Sequence, residues 1–194
     1  MYKIIPILLL ALALAAGCDS GPKKPDAQTA LETKLKAIVK VYDQGDNAAQ
    51  RDDYRKQAAG MRDSLFAELA GCPHFDGWIC KVASVNKSNF AKLNNQEALR
   101  LELNCGPFGF DNPGGTIDMT AGAEPAPQVI MKGQPLYDAA IKLKERDIVK
   151  VSGSFLIKEG GKISESSLST AGSIRHPDFG VIYRSVEPAK SDKK

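Results

Sequence analysis

Three regimes of apolar spacing divide the chain. The first is a block: from Ile4 to Ala16 no charge interrupts the apolar run, which ends in small residues before Cys18. Residues 19–28 then carry Pro, Lys and Gly with no apolar period, which predicts a tether. The second regime has helical spacing. Leu31, Leu35, Ile38 and Tyr42 recur at i, i+4, i+7 and i+11 behind a Thr29 and Glu32 capping pattern, and Gly45 stops them. Asn47 and Gln50 repeat the capping pattern, and Tyr54, Ala58, Met61, Leu65 and Leu69 make a second stripe before Gly71. Residues 29–71 are therefore expected to form a helical pair.

After Gly71 the period falls to two. Trp78, Cys80 and Val82 share one side of a predicted strand; on the next, Leu99, Leu101, Leu103 and Cys105 face one way and Arg100, Glu102 and Asn104 the other. The segment 86–96 between them is polar and turn-like. Residues 106–115, rich in Gly and Pro, read as a loop, followed by a short strand over 116–121 and another extended piece near 128–132. Gly133-Gln134-Pro135 opens a helix, since a proline in the first turn loses no hydrogen bond, and Leu136, Tyr137, Ala140, Ile141 and Leu143 give it a buried side. Alternation returns in Val149, Val151, Gly153, Phe155 and Ile157, with Gly153 predicted to mark a bulge or bend. A hairpin turn over 158–162, a Ser-rich edge strand or irregular loop over 164–173, and a last strand over 179–186 complete the pattern. The polar residues 188–194 are expected to be a disordered tail.

The order strand, strand, short strand, helix, strand, loop, strand resembles an OB-fold, the five-stranded Greek-key barrel with a helix between its third and fourth strands. The expected class is α+β: an αα pair followed by such a barrel over residues 72–187. The wording is also similar to a group of exported bacterial proteins of unassigned role. The residues that carry this likeness are Trp78, then Gly133, Pro135, Leu136 and Tyr137, then Asp147, Val149, Ser152, Gly153 and Phe155, and finally Pro177 and Phe179. The OB-fold resemblance implies a ligand face on strands two and three, here Arg100, Glu102 and Asn104, with Asn86, Lys87, Asn89, Phe90 and Phe108 in nearby loops.

The first apolar block resembles the signal peptide of bacterial lipoproteins. Leu14-Ala15-Ala16-Gly17-Cys18 is similar to a lipobox, with Leu14 one place earlier than the preferred leucine. The apolar run is short of the roughly 20 residues that cross a bilayer. The resemblance implies cleavage after residue 17, a diacylglycerol thioether on Cys18, and a lipidated tether over 18–28. Several acyl chains hold a protein firmly where one holds it marginally. Asp19 resembles the signal that retains such proteins in the inner membrane, which implies an inner-membrane anchor facing the periplasm, with the outer membrane as the alternative.

Charge adds little. The chain has 26 Lys and Arg against 23 Asp and Glu, and its first 17 residues hold only Lys3, so no basic excess points to nucleic acid. Arg51, Arg55 and Lys56 read as solvated helix charge. In an oxidising compartment Cys72, Cys80 and Cys105 should give one disulfide and one thiol. Three pairings are open. Cys72 in a loop and Cys105 at a strand end are the expected pair, ahead of Cys72 with Cys80, and Cys80 beside Trp78 is expected to be a buried free thiol.

The search for chemistry finds no catalytic set and no metal or cofactor site. Only His74 and His176 are present; His176 with Asp178 and His74 with Asp76 read as loop residues, and Asp111 and Asp118 as turn formers. No GxxxxGK, GxSxG or HExxH occurs. The expected function is therefore a lipid-anchored periplasmic module that acts by contact, as an accessory of an envelope complex or an exclusion-type factor, its partner an envelope protein. The alternative is an OB-fold binding protein for glycan, peptide or ion.

Overall fold

The computed structural model describes residues 22–90, 96–112 and 129–189, with backbone only for 88–90 and 96. Predicted features over 1–21, 91–95, 113–128 and 190–194 lie outside the described residues; these include Cys18, Asp19, Asp118 and the strand at 116–121.

Two helices open the fold. α1 spans Asp26–Tyr42 and buries the expected Leu31, Leu35 and Ile38, but it begins earlier than its sequence signal. Pro25 caps it: its carbonyl accepts from the Thr29 amide, and the Thr29 hydroxyl, expected as the cap, donates to the same carbonyl. Gln28, placed by its polarity in a tether, is fully buried. Its amide donates to the Ile79 carbonyl at 2.7 Å and accepts from the Ile79 N–H at 2.8 Å, so residues 26–28 belong to the folded body. α2 spans Ala48–Gly71 with the expected cap. Asn47 accepts from the Gln50 N–H at 3.0 Å, and the Gln50 side chain accepts from Asp46 N–H.

The strands that follow are β1 (His74–Phe90), β2 (Gln96–Asn104), β3 (Gly109–Asp111), β4 (Ile130–Met131), β5 (Ile148–Phe155), β6 (Ile157–Lys158), β7 (Lys162–Ile163) and β8 (Asp178–Pro188). Helix α3 (Pro135–Ala140) lies between β4 and β5, and α4 (Thr170–Arg175) precedes β8. The molecule is thus mixed α+β, and five strands close into a barrel, β1-β5-β8-β3-β2 and back to β1, compatible with an OB-fold-like barrel. β3 and β8 run parallel; the other barrel pairs are antiparallel. β4 lies on the same edge of β2 as β3, nearer that strand's start.

Closure depends on β1 serving two neighbours. Its first half pairs with β5 and its second with β2, and the register slips between Phe75 and Trp78 and again between Val82 and Ser84. Such bulges bend a strand and raise its twist, which carries β1 around the barrel. Gly77 takes the left-handed φ of +65° that the first slip requires. Gly153 sits at a third slip, as expected; a β-carbon there would run into the Ile182 carbonyl and the Phe75 ring.

Alternation puts Trp78, Cys80, Val82, Leu99, Leu101, Leu103, Val149, Val151 and Phe155 inside. Six aromatics fill the barrel: Trp78 stacks on Phe110 at 5.6 Å, and Phe75, Phe108, Phe155 and Phe179 close around them. The α1 stripe joins the same core.

Further expectations need correction. Residues 86–90, expected as part of a polar turn, continue β1 and pair with 96–100 of β2. The bridge joins Cys80 to Cys105, not Cys72 to Cys105, and Cys72 is an exposed free thiol at the end of α2. The reason is register: Lys81 lies opposite Asn104, so the next residues outward, Cys80 and Cys105, face each other with 4.2 Å between Cα atoms. The predicted loop over 106–115 contains β3, whose three residues gain partners on both sides, from β2 and β8. The Ser-rich stretch ends in α4, capped by the Ser169 hydroxyl, which accepts from Gly172 N–H at 3.0 Å.

Candidate functional site

The outer face of β2 is where the sequence placed a ligand face, and it lines a cleft. Because the leucines of β2 turn inward, Arg100, Glu102 and Asn104 turn out together. β3 adds Asp111, opposite Glu102 and diagonal to Arg100. Parallel pairing sets Gly109 opposite Asp178 at the start of β8 and brings His176 and Ser166 to the rim. Gly109 makes the approach possible, since a β-carbon there would overlap the Asp178 carboxylate. The recess holds about 240 Å³. That is below the roughly 300–1,000 Å³ of pockets that enclose a drug-sized molecule, and suits a single protruding side chain or sugar unit.

Arg100 organises the charges. Its guanidinium grips Asp111 with two hydrogen bonds, Nε to Oδ1 at 3.0 Å and Nη2 to Oδ2 at 2.6 Å, and lies 3.2 Å from Glu102. The Asp111 carboxylate pushes the Arg100 pKa up, so the cation is fixed. Glu102 also accepts from the Ser84 hydroxyl at 2.9 Å, and the Asp178 carboxylate is 3.4 Å from His176 Nδ1. Three carboxylates against one guanidinium leave the recess acidic in balance.

The hydroxyls nearby are engaged with backbone rather than with the imidazole. Ser166 donates to the Asp178 carbonyl and Ser167 to the His176 carbonyl, at 3.3 and 3.4 Å. Among the described residues no three His, Cys, Asp or Glu side chains come together in a way that would hold a metal ion, and no helix is long and apolar enough to cross a membrane.

The remaining predicted positions separate from this cleft. Phe108, expected at the ligand face, is fully buried in the core against Trp78. Lys87 joins a different cluster at the start of β2, where Glu97 accepts from Tyr137, Lys87 and Lys132. The Tyr137 hydroxyl first, then the lysines, hold the Glu97 carboxyl down at about 2, and Glu97 pushes the tyrosine up to about 12. Asn86 binds Ser84; the side chains of Asn89 and Phe90 lie outside the described set. His74 is on β1 at the end remote from β2. Arg55 stacks on Tyr42 from one helix and Arg175 from another, tying α2 and α4 to α1.

Sequence alone reads Asp111, His176 and Asp178 as turn or loop residues; His176 does lie in the connection after α4, whereas Asp111 belongs to β3 and Asp178 opens β8. For Asp111 the signal is the spacing of Gly109 and Asp111, two apart around Phe110, which sends both to the outside of a strand once β3 is recognised. Compared with known proteins, the chain matches no protein-family model, no curated protein and no solved structure.

Proposed function

We propose that this is a lipid-anchored protein of the bacterial envelope, held at Cys18 on the periplasmic face of the inner membrane, that works by non-catalytic contact with an envelope protein. In this reading the barrel is an OB-fold: its ring order, its parallel β3–β8 pair and the position of α3 ahead of β5 support the Greek-key assignment. The observation that carries the anchor is the uncharged apolar run of residues 4–16 followed directly by Gly17-Cys18. Contact rather than catalysis is supported by the cleft, where the strongest cation is spent on Asp111 and the serines on backbone carbonyls.

Intact-mass measurement of the membrane-extracted protein tests the anchor. A mass short of residues 1–17 and heavier by a diacylglycerol supports it; an unprocessed chain, or one with a bare Cys18, refutes it. Photo-crosslinking from Asn104 in the intact envelope tests contact: a discrete protein adduct lost in Asp178→Lys supports it, and its absence refutes it.

A second reading is favoured by the convergence of Arg100, Glu102, Asn104, Asp111, Ser166, His176 and Asp178 on one recess. Here the protein binds a glycan unit, peptide side chain or ion, and a thermal shift on adding cell-wall fragments would favour it.

A further inference from the structure

We infer that the end of the barrel bearing Pro22, Ile148, Pro188 and Ala189 is a membrane-docking surface seated among phospholipid headgroups. This rests on the lipid anchor proposed at Cys18. The first argument is reach. Only four peptide steps separate Cys18 from Pro22, at most about 14 Å of chain. The fold allows no further slack, because Gln28 is bound through both amide atoms to Ile79 and Lys24 pairs with Glu32 at 2.7 Å. A lipid on Cys18 must therefore hold Pro22 within about 14 Å of the residue that enters the bilayer surface, close enough for this end of the barrel to reach the headgroups.

The second argument is chemistry. Pro22, Ile148, Pro188 and Ala189 line one shallow depression with Asp147 at its side, and the Ala189 N–H donates to the Ile148 carbonyl, which locks the end of β8 beside the chain's entry. Ile148, 40% exposed, is one of two large exposed hydrophobics among the described residues. Lys23 and Lys150 flank it, with stems that can lie along apolar surface while the ammonium reaches phosphate. Asp26, Asp76, Asp147 and Glu187 are close by, so net charge gives no attraction, and apolar contact under a short leash is what seats the surface.

The other exposed hydrophobic, Leu168, precedes the α4 cap beside the start of β8. β8 runs ten residue steps, about 33 Å of extended strand, from the α4 side where Leu168 sits to Pro188 beside Ile148, so the two hydrophobics lie at opposite ends of that strand and the chain enters at the Ile148 end. One anchor therefore selects between them, and selects Ile148.

The test uses the full chain carrying Cys72→Ser, with single labelling sites Ile148→Cys, Lys23→Cys and Leu168→Cys, reconstituted in phosphatidylethanolamine and phosphatidylglycerol vesicles. A fluorophore at 148 or 23 should be quenched several-fold more by headgroup-nitroxide lipid than one at 168, and several-fold less by aqueous iodide. Lys23 lies outside any strand, so it remains informative if the Ile148 substitution disturbs β5. Equal iodide access at all three positions, on protein whose intact mass includes the Cys18 lipid, overturns the docking and leaves the anchor standing. A mass without lipid overturns the anchor and the docking with it.

Discussion

Reduction of the Cys80–Cys105 bridge gives a perturbation whose size follows from the chain alone. The bridge closes a loop of 25 residues in sequence separation, and opening it returns to the unfolded chain an entropy worth about 3.5 kcal/mol at 25 °C. Domains of ordinary stability have about 5–15 kcal/mol in total, so the reduced protein should remain folded with a much thinner margin. For a chain of this size about 2–4 °C of Tm accompanies each kcal/mol, which predicts a fall of about 7–14 °C. Calorimetry of the Cys72→Ser protein with and without a phosphine reductant measures it. Stability alone does not identify the bridge: a Cys72–Cys105 loop of about 33 residues would differ by only about 0.2 kcal/mol. Peptide mapping of the oxidised protein does, and should return residues 80 and 105 in one linked pair with Cys72 alkylated. A linked Cys72 peptide, or a Tm that reductant leaves unchanged, refutes the register argument that pairs the two strands.

Other outcomes follow from the same structure. Gln28→Ala strips the Ile79 N–H and C=O of their partner and should cost about 1–3 kcal/mol in urea unfolding, whereas deletion of residues 19–21 should cost nothing measurable; equal effects would return residue 28 to the tether. Gly153→Ala forces a methyl against the Ile182 carbonyl, and a loss of about 1–3 kcal/mol is expected, while an unchanged denaturation midpoint would show that the strand crossing is looser than described. Glu97, held at about 2 by the Tyr137 hydroxyl, has its folded pKa below its ordinary 4.5. Its contribution is therefore complete above pH 4.5 and lost as pH falls towards 2, and Tyr137→Phe should flatten the slope of Tm over that window; parallel curves would deny the contact. The tyrosine, raised from 10 to about 12, contributes fully below pH 10 and loses that contribution towards 12.

Local signals were legible where local chemistry makes the structure. Asn47 caps α2 because its carboxamide reaches an amide three residues on, and Leu99, Leu101 and Leu103 turn inward because a strand alternates. What escaped was set by partners far along the chain. Gln28 looks like tether until Ile79, 51 residues away, satisfies both ends of its amide. Gly109–Asp111 is too short to show a period and is a strand only because β2 and β8 flank it. The cysteine pairing was within reach, since alternation places Cys80 and Cys105 on inner faces; the missing quantity was the β1–β2 register. The cleft was half visible for the same reason. Arg100 and Glu102 share a strand, but Asp111 and Asp178 join them only through that register and a parallel pairing.

The same long-range ties give the molecule a direction. α1 leaves the Pro22 end, where Gln28 grips β1, and runs 17 residues, about 25 Å at 1.5 Å per residue. At its far end the Tyr42 ring takes the guanidinium groups of Arg55 and Arg175 at 5.6 and 5.3 Å from its centroid, and Asp43 accepts from Arg175 at 2.7 Å. Arg175 is the last residue of α4, and the next, His176, is on the rim of the cleft. β8 makes the opposite journey, from Asp178 in the cleft to Pro188 beside Pro22. Two rigid elements thus span the same interval between the chain's entry and the recess, one fixed by a buried amide and the other by barrel pairing. Under the anchor proposed at Cys18, a restraint there would bear on the cleft's orientation without touching it. If that anchor and an envelope partner are as proposed, lengthening the segment 19–21 should leave the cleft's internal contacts intact while weakening any crosslink from Asn104 to the partner, and a crosslink yield independent of tether length would refute an oriented presentation of the recess.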